Sequence, residues 1–220
     1  MQIRNIIFDL GGVLLNIDYQ RTIEAFKDLG IQYFDGLFTQ ASQIGLFDSL
    51  DRGDISPETF RNELRKITEL PLTDQQIDSA WNAMLLDMPG KRLAMLDRVS
   101  RHYRLFLLSN TNAIHYPAYQ TYMDSQYGFS DLEALFEKQY LSYELGMRKP
   151  DVEIFEHIIH DKKLNKDQTL FVDDSYQHVE GARKAGLLAV WIDITSIDVL
   201  DLFSPAYRLN DLTDLLLKQP

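Results

Sequence analysis

The chain has no cysteine among its 220 residues, which excludes disulfide bonds and a thiolate metal site. The absence of cysteine does not by itself identify a reducing compartment. Long apolar runs are also missing, since the longest are far shorter than a membrane span. The first five residues lack the charged and then apolar layout of a signal peptide. We therefore expect a soluble cytoplasmic protein.

Positive charge is scarce. The sequence has 22 Lys and Arg against 33 Asp and Glu, a formal net charge of -11. This balance argues against nucleic acid or an anionic membrane as a partner. It would also repel a phosphorylated substrate, so such a substrate would need a local cationic pocket. The apolar fraction of 45% is ordinary for a globular protein. Nothing in the sequence indicates the oligomeric state.

Residues 16–88 have the pattern of helices, without a convincing strand. Ser56 before Pro57 and the segment Thr73–Gln76 are typical helix starts. We interpret 16–88 as an inserted helical domain. Its aromatic residues are expected to form a small core, and the segment 45–47 is a candidate specificity turn, with helix packing as the alternative. These aromatic residues are Phe34, Phe38, Phe47 and Trp81.

From about residue 90, short apolar segments alternate with helical ones, which favours an α/β fold with a parallel sheet covered on both faces. The first strand precedes the helical insertion. The core domain is therefore predicted to be discontinuous, with residues 1–15 and 89–220 on either side of 16–88. The predicted strands are 6–8, 105–108, 138–141, 169–172 and 188–192, and the predicted helices are 91–102, 116–123, 152–159 and 178–185.

Acidic residues follow two of the predicted strands. Asp9 comes directly after Ile6–Phe8 and is followed by two glycines, and Asp173 and Asp174 follow the strand at 169–172. Open α/β sheets bind ligands outside the carboxyl ends of their strands. Two adjacent carboxylates repel each other, and Mg²⁺, which prefers oxygen ligands, would remove that conflict. The alternative is that one of the pair caps the helix beginning near Ser175.

Two further segments offer groups that suit phosphate. Residues 109–112, beginning with Ser109 and Asn110, follow the predicted strand 105–108. Their hydroxyl, amide and backbone N–H groups could hold phosphate oxygens, although turns use the same residues. Lys149 precedes Pro150 and could neutralise a phosphoryl group and restrain Asp9. A solvated surface position is the alternative for Lys149, and it is our interpretation of Arg148. The five histidines show no metal-binding spacing. His178 follows the acidic pair by about one turn and is expected at the surface, with an approach to the site as the alternative.

In their order along the chain, Asp9, Ser109, Lys149–Pro150 and Asp173–Asp174 resemble the four motifs of the haloacid dehalogenase superfamily. The resemblance covers almost the whole chain and looks closest to the bacterial α-D-glucose-1-phosphate phosphatase subgroup. It implies a Rossmann-like three-layer core with an inserted all-helical cap. It also implies a magnesium-dependent phosphatase of small phosphorylated metabolites.

The resemblance also implies a role for each motif residue. Asp9 would attack phosphorus and form an aspartyl-phosphate that water hydrolyses. Mg²⁺ would be bound by Asp9, the backbone carbonyl of Gly11 and Asp174, with Asp173 supporting it directly or through water. The phosphoryl oxygens would be bound by Ser109, Asn110 and Lys149.

Gly11 departs from the superfamily pattern. Most phosphatases of this superfamily carry a second aspartate there, which protonates the leaving group. Either Asp18 or water replaces it, or the substrate needs little protonation, as a sugar 1-phosphate or acyl phosphate would. Two other functions stay open. A 2-haloacid dehalogenase attacks carbon without a metal, and a catalytically silent binding module has only Gly11 in its favour.

Overall fold

A five-stranded parallel sheet forms the centre of the molecule, with strand order β3-β2-β1-β4-β5. The structure is a computed structural model and describes residues 2–31, 45–129 and 132–218. Every predicted strand is present, with ends that differ by no more than one residue. The strands are β1 (Asn5–Phe8), β2 (Arg104–Ser109), β3 (Lys138–Leu141), β4 (Thr169–Asp173) and β5 (Leu188–Trp191).

The sheet register brings the carboxyl ends of three strands together. Phe8 at the end of β1 pairs with Leu107 on β2 and with Val172 on β4. Because β1 lies between β2 and β4, the residues that follow these strands emerge at one edge of the sheet. The polar segments beginning at Asp9, Ser109 and Asp173 therefore meet, as the sequence predicted.

Helices cover both faces of the sheet and also fill the connection between β1 and β2. Gly128, with φ 73°, ends one of them beyond the predicted position 123. No helix among the described residues is long and apolar enough to cross a membrane. The helices are α1 (Tyr19–Asp28), α2 (Gly45–Asp51), α3 (Pro57–Thr68), α4 (Asp74–Asn82), α5 (Gly90–Val99), α6 (His115–Tyr127), α7 (Ser142–Leu145), α8 (Val152–Lys162), α9 (Tyr176–Lys184) and α10 (Asp211–Leu216).

Alternate side chains of the strands enter two separate apolar clusters. Phe8 packs with Leu96 on one face of the sheet, and Ile7 packs with Phe155 and Val179 on the other. A sheet buried on both faces explains why its strands are continuous apolar runs rather than alternating ones. The α/β prediction with three layers is confirmed.

Helices α1 to α4 have an apolar cluster of their own, built around Phe47 and Trp81. Ser56 caps α3, and Thr73 with Gln76 forms the predicted capping box of α4. The prediction of a specificity turn at 45–47 is wrong, because Gly45 begins helix α2 and Phe47 is fully buried. These residues follow the alternative of helix packing. Phe34 and Phe38 lie outside the described residues. The division into two domains at 15/16 and 88/89 stays a prediction.

Candidate active site

Lys149 links two acidic residues at the edge of the sheet. Its Nζ lies 2.7 Å from Oδ1 of Asp9 and 2.6 Å from Oδ2 of Asp173. The side chain is completely buried, so the surface alternative for Lys149 is wrong. Burial alone would lower the pKa of this ammonium group, but Asp173 and Asp9 outweigh burial and raise its pKa. Lys149 is therefore a fixed positive charge beside Asp9.

The backbone of Lys149 is held by the side chain of Asn110. The Nδ2 of Asn110 donates to the carbonyl oxygen of Lys149 at 2.9 Å, and its Oδ1 accepts from the Lys149 N–H at 2.9 Å. Behind this segment, a Cβ on Gly181 would lie 2.2 Å from the carbonyl oxygen of Pro150. Only glycine lets α9 pack this closely. The side chain of Asn110 is thus committed to positioning Lys149.

Asp173 is fully buried and both of its oxygens are engaged. Oδ1 accepts a hydrogen bond from the Ser175 N–H at 2.7 Å and lies 3.0 Å from Nδ1 of His178, while Oδ2 binds Lys149. Burial would raise the pKa of Asp173, but Lys149 and His178 lower it to about 2. His178 is not at the surface as expected, since its side chain is only 19% exposed. The signal for its contact with Asp173 was its position about one turn after the acidic pair.

Asp174 lies against the loop that follows β1. Gly12 in that loop has φ 81°, and a Cβ there would lie 2.2 Å from Oδ2 of Asp174. Burial raises the pKa of Asp174 to about 7, and the nearby Asp173 adds to the effect. Burial and then Asp173 also raise the pKa of Asp9, despite the opposing charge of Lys149. A divalent cation would relieve the repulsion between these carboxylates, so the donor set fits Mg²⁺.

A cavity of about 330 Å³ opens above this group and is lined by Asp9, Gly11, Ser109, Lys149 and Asp174. Ser109 is 3% exposed, and its hydroxyl has no hydrogen-bond partner among residues 2–31, 45–129 and 132–218. The structure therefore brings together the predicted catalytic, phosphate-binding and metal-binding residues.

A second part of the cavity wall, from the α2 region, was not predicted from the sequence. Asp48, Asp51 and Arg52 line it beside Arg148. Arg148 forms an ion pair with Asp48 and is 15% exposed, so its interpretation as a surface residue is wrong. Arg52 Nη2 lies 2.6 Å from Oδ2 of Asp151. Charged residues on a short helix look solvated in a sequence, because only the tertiary contact reveals their partners.

His115 also lines this cavity without having been predicted. Its ring stacks on Trp81, with centroids 4.9 Å apart and planes 19° apart. Nδ1 lies 2.7 Å from the amide oxygen of Asn82, and because that oxygen only accepts, Nδ1 is the donor. Burial lowers the pKa of His115 to about 3, so the ring is neutral at physiological pH.

Asp18, the candidate replacement for the missing aspartate, lies outside the residues that line the cavity. Its Oδ1 accepts from the Gln20 N–H at 3.0 Å and caps α1, and its side chain is 44% exposed. The capping alternative therefore describes Asp18 in this structure.

The fold and this cluster of side chains are those of a hydrolase. The family model described as haloacid dehalogenase-like hydrolase matches residues 3–186, and the chain belongs to that family. The predicted superfamily is confirmed, whereas the glucose-1-phosphate phosphatase subgroup stays a prediction.

Three relatives place the chain within that family. The D-ribitol-5-phosphate phosphatase of Bacteroides thetaiotaomicron is 33% identical over 187 residues, covering 84% of this chain and 89% of the relative. HAD family enzyme BT-2542 of the same organism, solved with magnesium and inorganic phosphate, is 36% identical with a TM-score of 0.81, covering 92% of this chain and 100% of the other. A HAD-like family hydrolase from Porphyromonas gingivalis is 31% identical with a TM-score of 0.82 over 100% of both chains.

Proposed function

We propose that the protein is a magnesium-dependent phosphatase of small phosphorylated metabolites that uses Asp9 as its nucleophile. The observation that carries this proposal is the buried contact of Asp9 with Lys149, 2.7 Å long, at the floor of a cavity. The relatives named as a ribitol phosphate phosphatase and crystallised with magnesium and phosphate support the same chemistry.

Asp9 is held for attack through one of its two oxygens. Oδ1 accepts from the Leu10 N–H at 2.7 Å and from Lys149, which fixes the carboxylate plane. Oδ2 takes no hydrogen bond among the described residues. The carboxylate forms a bond to phosphorus as the bond from phosphorus to the leaving oxygen breaks. Water then attacks the phosphorus of the aspartyl-phosphate, releasing inorganic phosphate and restoring Asp9.

Mg²⁺ would be held by Asp9, Asp174 and the backbone carbonyl of Gly11. Ligand atoms of Asp9, Asp173 and His178 also lie within 4.8 Å of one another. However, Lys149 already bridges Asp9 and Asp173, so a second cation there would be repelled. Asp173 would then support the site through Lys149. When bound, Mg²⁺ neutralises charge on the phosphoryl oxygens.

Ser109 and Lys149 would bind the phosphoryl oxygens. The Ser109 hydroxyl is free to donate, and the Lys149 ammonium group supplies positive charge in an otherwise acidic molecule. Because the side chain of Asn110 is occupied by the Lys149 backbone, its contribution would come from its own N–H. Because the chain has a net negative charge, a phosphorylated substrate needs such a local cationic group in order to bind.

A sugar 1-phosphate is the substrate that Gly11 favours in this proposal. Gly11 has no side chain that could donate a proton to the leaving oxygen. The leaving oxygen of a sugar 1-phosphate is less basic than that of an alkyl phosphate and needs less protonation. We expect faster hydrolysis of glucose 1-phosphate than of glucose 6-phosphate under equal conditions. The reverse order contradicts this choice of leaving group.

Hydrolysis of p-nitrophenyl phosphate tests the proposal. We expect turnover with Mg²⁺, loss of turnover with EDTA, and loss of at least ~10³-fold in Asp9→Asn, since the nucleophile is removed. Asp18→Asn is the matched control, because asparagine caps a helix as well as aspartate and Asp18 lies outside the cavity. Activity that survives EDTA would point to metal-free dehalogenase chemistry, and no activity at all would point to a binding module.

A further inference from the structure

Asp51, the last residue of α2, carries a buried carboxyl group into the cavity from the helical side. The residue is 6% exposed and lines the cavity. Its Oδ1 accepts a hydrogen bond from Nδ2 of Asn112 at 2.9 Å. Burial raises the pKa of this carboxyl to about 6, although Asn112 and Arg148 oppose the effect. Nothing in the proposed phosphoryl chemistry requires a carboxyl group here.

The orientation of Asn112 fixes which oxygen of Asp51 is available. Oδ1 of Asn112 accepts from the backbone N–H groups of Ile114 and His115, each at 3.0 Å, at the start of α6. The amide must therefore point its NH₂ group at Asp51, so Asp51 must offer an acceptor oxygen in return. Oδ2 is left over, and it takes no hydrogen bond from any described residue.

The space beside Oδ2 suits a hydroxyl group. Nη2 of Arg148 lies 4.0 Å from Oδ2, which is too long for a direct hydrogen bond. A hydroxyl oxygen placed roughly 2.8 Å from both atoms would donate to Asp51 and accept from Arg148. The hydroxyl group of an alcohol would therefore act as a donor to Asp51 and as an acceptor from Arg148 at the same time.

The charged groups on this wall are already paired with one another. Arg148 binds Asp48, and Arg52 binds Asp48 and Asp151. A hydroxyl group adds no charge to this network, whereas a carboxylate on the ligand would be repelled by Asp51. An aliphatic chain would cover Oδ2 of Asp51 without offering it a partner, which is costly for a buried polar atom.

We infer that Asp51 and Arg148 form a binding subsite for a hydroxyl group of the departing alcohol, which makes the enzyme selective for neutral polyhydroxylated phosphate esters. The inference rests on the proposed phosphatase function and adds to it the chemical class of the leaving group. Asp51 is a specificity-determining residue in this arrangement, and it lines the cavity from helix α2 rather than from the edge of the sheet.

The test compares ribitol 5-phosphate with n-pentyl phosphate, two primary esters of five carbons that differ in their hydroxyl groups. With the full chain and Mg²⁺, we expect kcat/KM to favour ribitol 5-phosphate at least ~10-fold. Asp51→Asn should reduce that ratio at least ~10-fold, mainly through a higher KM for ribitol 5-phosphate. Because Asn112 claims the remaining oxygen, this substitution places an NH₂ group where Oδ2 accepted.

Asp54→Asn is the matched control, since Asp54 is an exposed carboxylate three residues further along and should leave the ratio unchanged. Arg148→Gln removes the other half of the subsite and should also lower the ratio, which keeps the test decisive if Asp51→Asn unfolds. Thermal unfolding identifies that case.

Three results would overturn the inference while leaving the phosphatase function intact. One is efficient hydrolysis of both esters at similar kcat/KM by the unaltered protein. Another is a substrate ratio that folded Asp51→Asn and Arg148→Gln proteins leave within twofold of its original value. The third is hydrolysis of p-nitrophenyl phosphate with no hydrolysis of ribitol 5-phosphate, because the subsite would then bind no polyhydroxylated leaving group productively. The failure of the proposed function itself is distinct, because p-nitrophenyl phosphate would then be stable as well in the presence of enzyme and Mg²⁺.

Discussion

Substitution of Gly12 by alanine gives a direct test of where Asp174 lies. The new Cβ would be 2.2 Å from Oδ2, 2.4 Å from Cγ and 2.9 Å from Oδ1 of Asp174. Distances this short are not tolerated, so the carboxylate must rotate away from the loop after β1. Alanine at φ 81° also pays a backbone penalty of about 1–2 kcal/mol, whatever happens to Asp174.

Gly128→Ala separates these two effects. Gly128 has φ 73° and a Cβ there meets nothing within 4 Å, so this variant suffers the backbone penalty alone. For a chain of this size, each kcal/mol lowers Tm by about 2–4 °C. We therefore expect both variants to unfold at a lower temperature than the unaltered protein in EDTA, with Gly12→Ala affected at least as much.

Magnesium then distinguishes the two variants. A ligand at 100 times its Kd stabilises a protein by about 2.7 kcal/mol. We expect Gly128→Ala to keep the full rise of Tm on adding Mg²⁺, and Gly12→Ala to lose most of it, because Asp174 no longer reaches the ion. The measurement is thermal unfolding across a Mg²⁺ titration, with hydrolysis of p-nitrophenyl phosphate followed in parallel. An identical magnesium response in the two variants would refute the placement of Asp174 in the metal site.

Three further outcomes follow from buried or paired charges. Lys149→Met leaves two buried carboxylates without their shared cation and should lower the free energy of unfolding in EDTA by about 3–5 kcal/mol, measured with urea. Arg52→Met removes the contacts with Asp151 at 2.6 Å and with Asp48 at 3.2 Å and should raise KM, whereas an unchanged KM contradicts a role of this network in shaping the cavity. Asp51 has its pKa raised from 3.8 to about 6, so the folded state binds its proton more tightly and stability is lost as pH rises from about 4 through 6. Asn112 and Arg148 lower this pKa and Asp48 raises it, so the shift is the sum of their effects and of burial. It corresponds to a loss of about 3 kcal/mol in the free energy of unfolding above pH 6. In urea unfolding, Asp51→Asn should therefore be more stable than the unaltered protein at pH 8 but not at pH 4.

The floor of the site could be predicted because it depends on a rule of sheet geometry. Asp9, Ser109 and Asp173 each follow an apolar run, and parallel strands deliver such residues to one edge. Helix starts such as Ser56 were predictable for a similar reason, since capping is decided by neighbours in sequence.

The roof of the site could not be predicted, because its chemistry arises from contacts across the chain. Arg148 was interpreted as a surface residue, because its ion pair with Asp48 forms only in the folded chain. Asp51 is buried because α2 packs against α3 and α7 and because Asn112 donates a hydrogen bond to it. A single sequence contains no local pattern that distinguishes such an aspartate from a solvated one.

The four residues from Arg148 to Asp151 join two tasks in one short stretch of backbone. Arg148 and Asp151 each bind a residue of the α2 region, while Lys149 between them binds Asp9. A displacement of α2 would therefore pull on the backbone on both sides of Lys149. The distance between the Lys149 ammonium group and Asp9 thus depends on where α2 lies, even if the strands do not change.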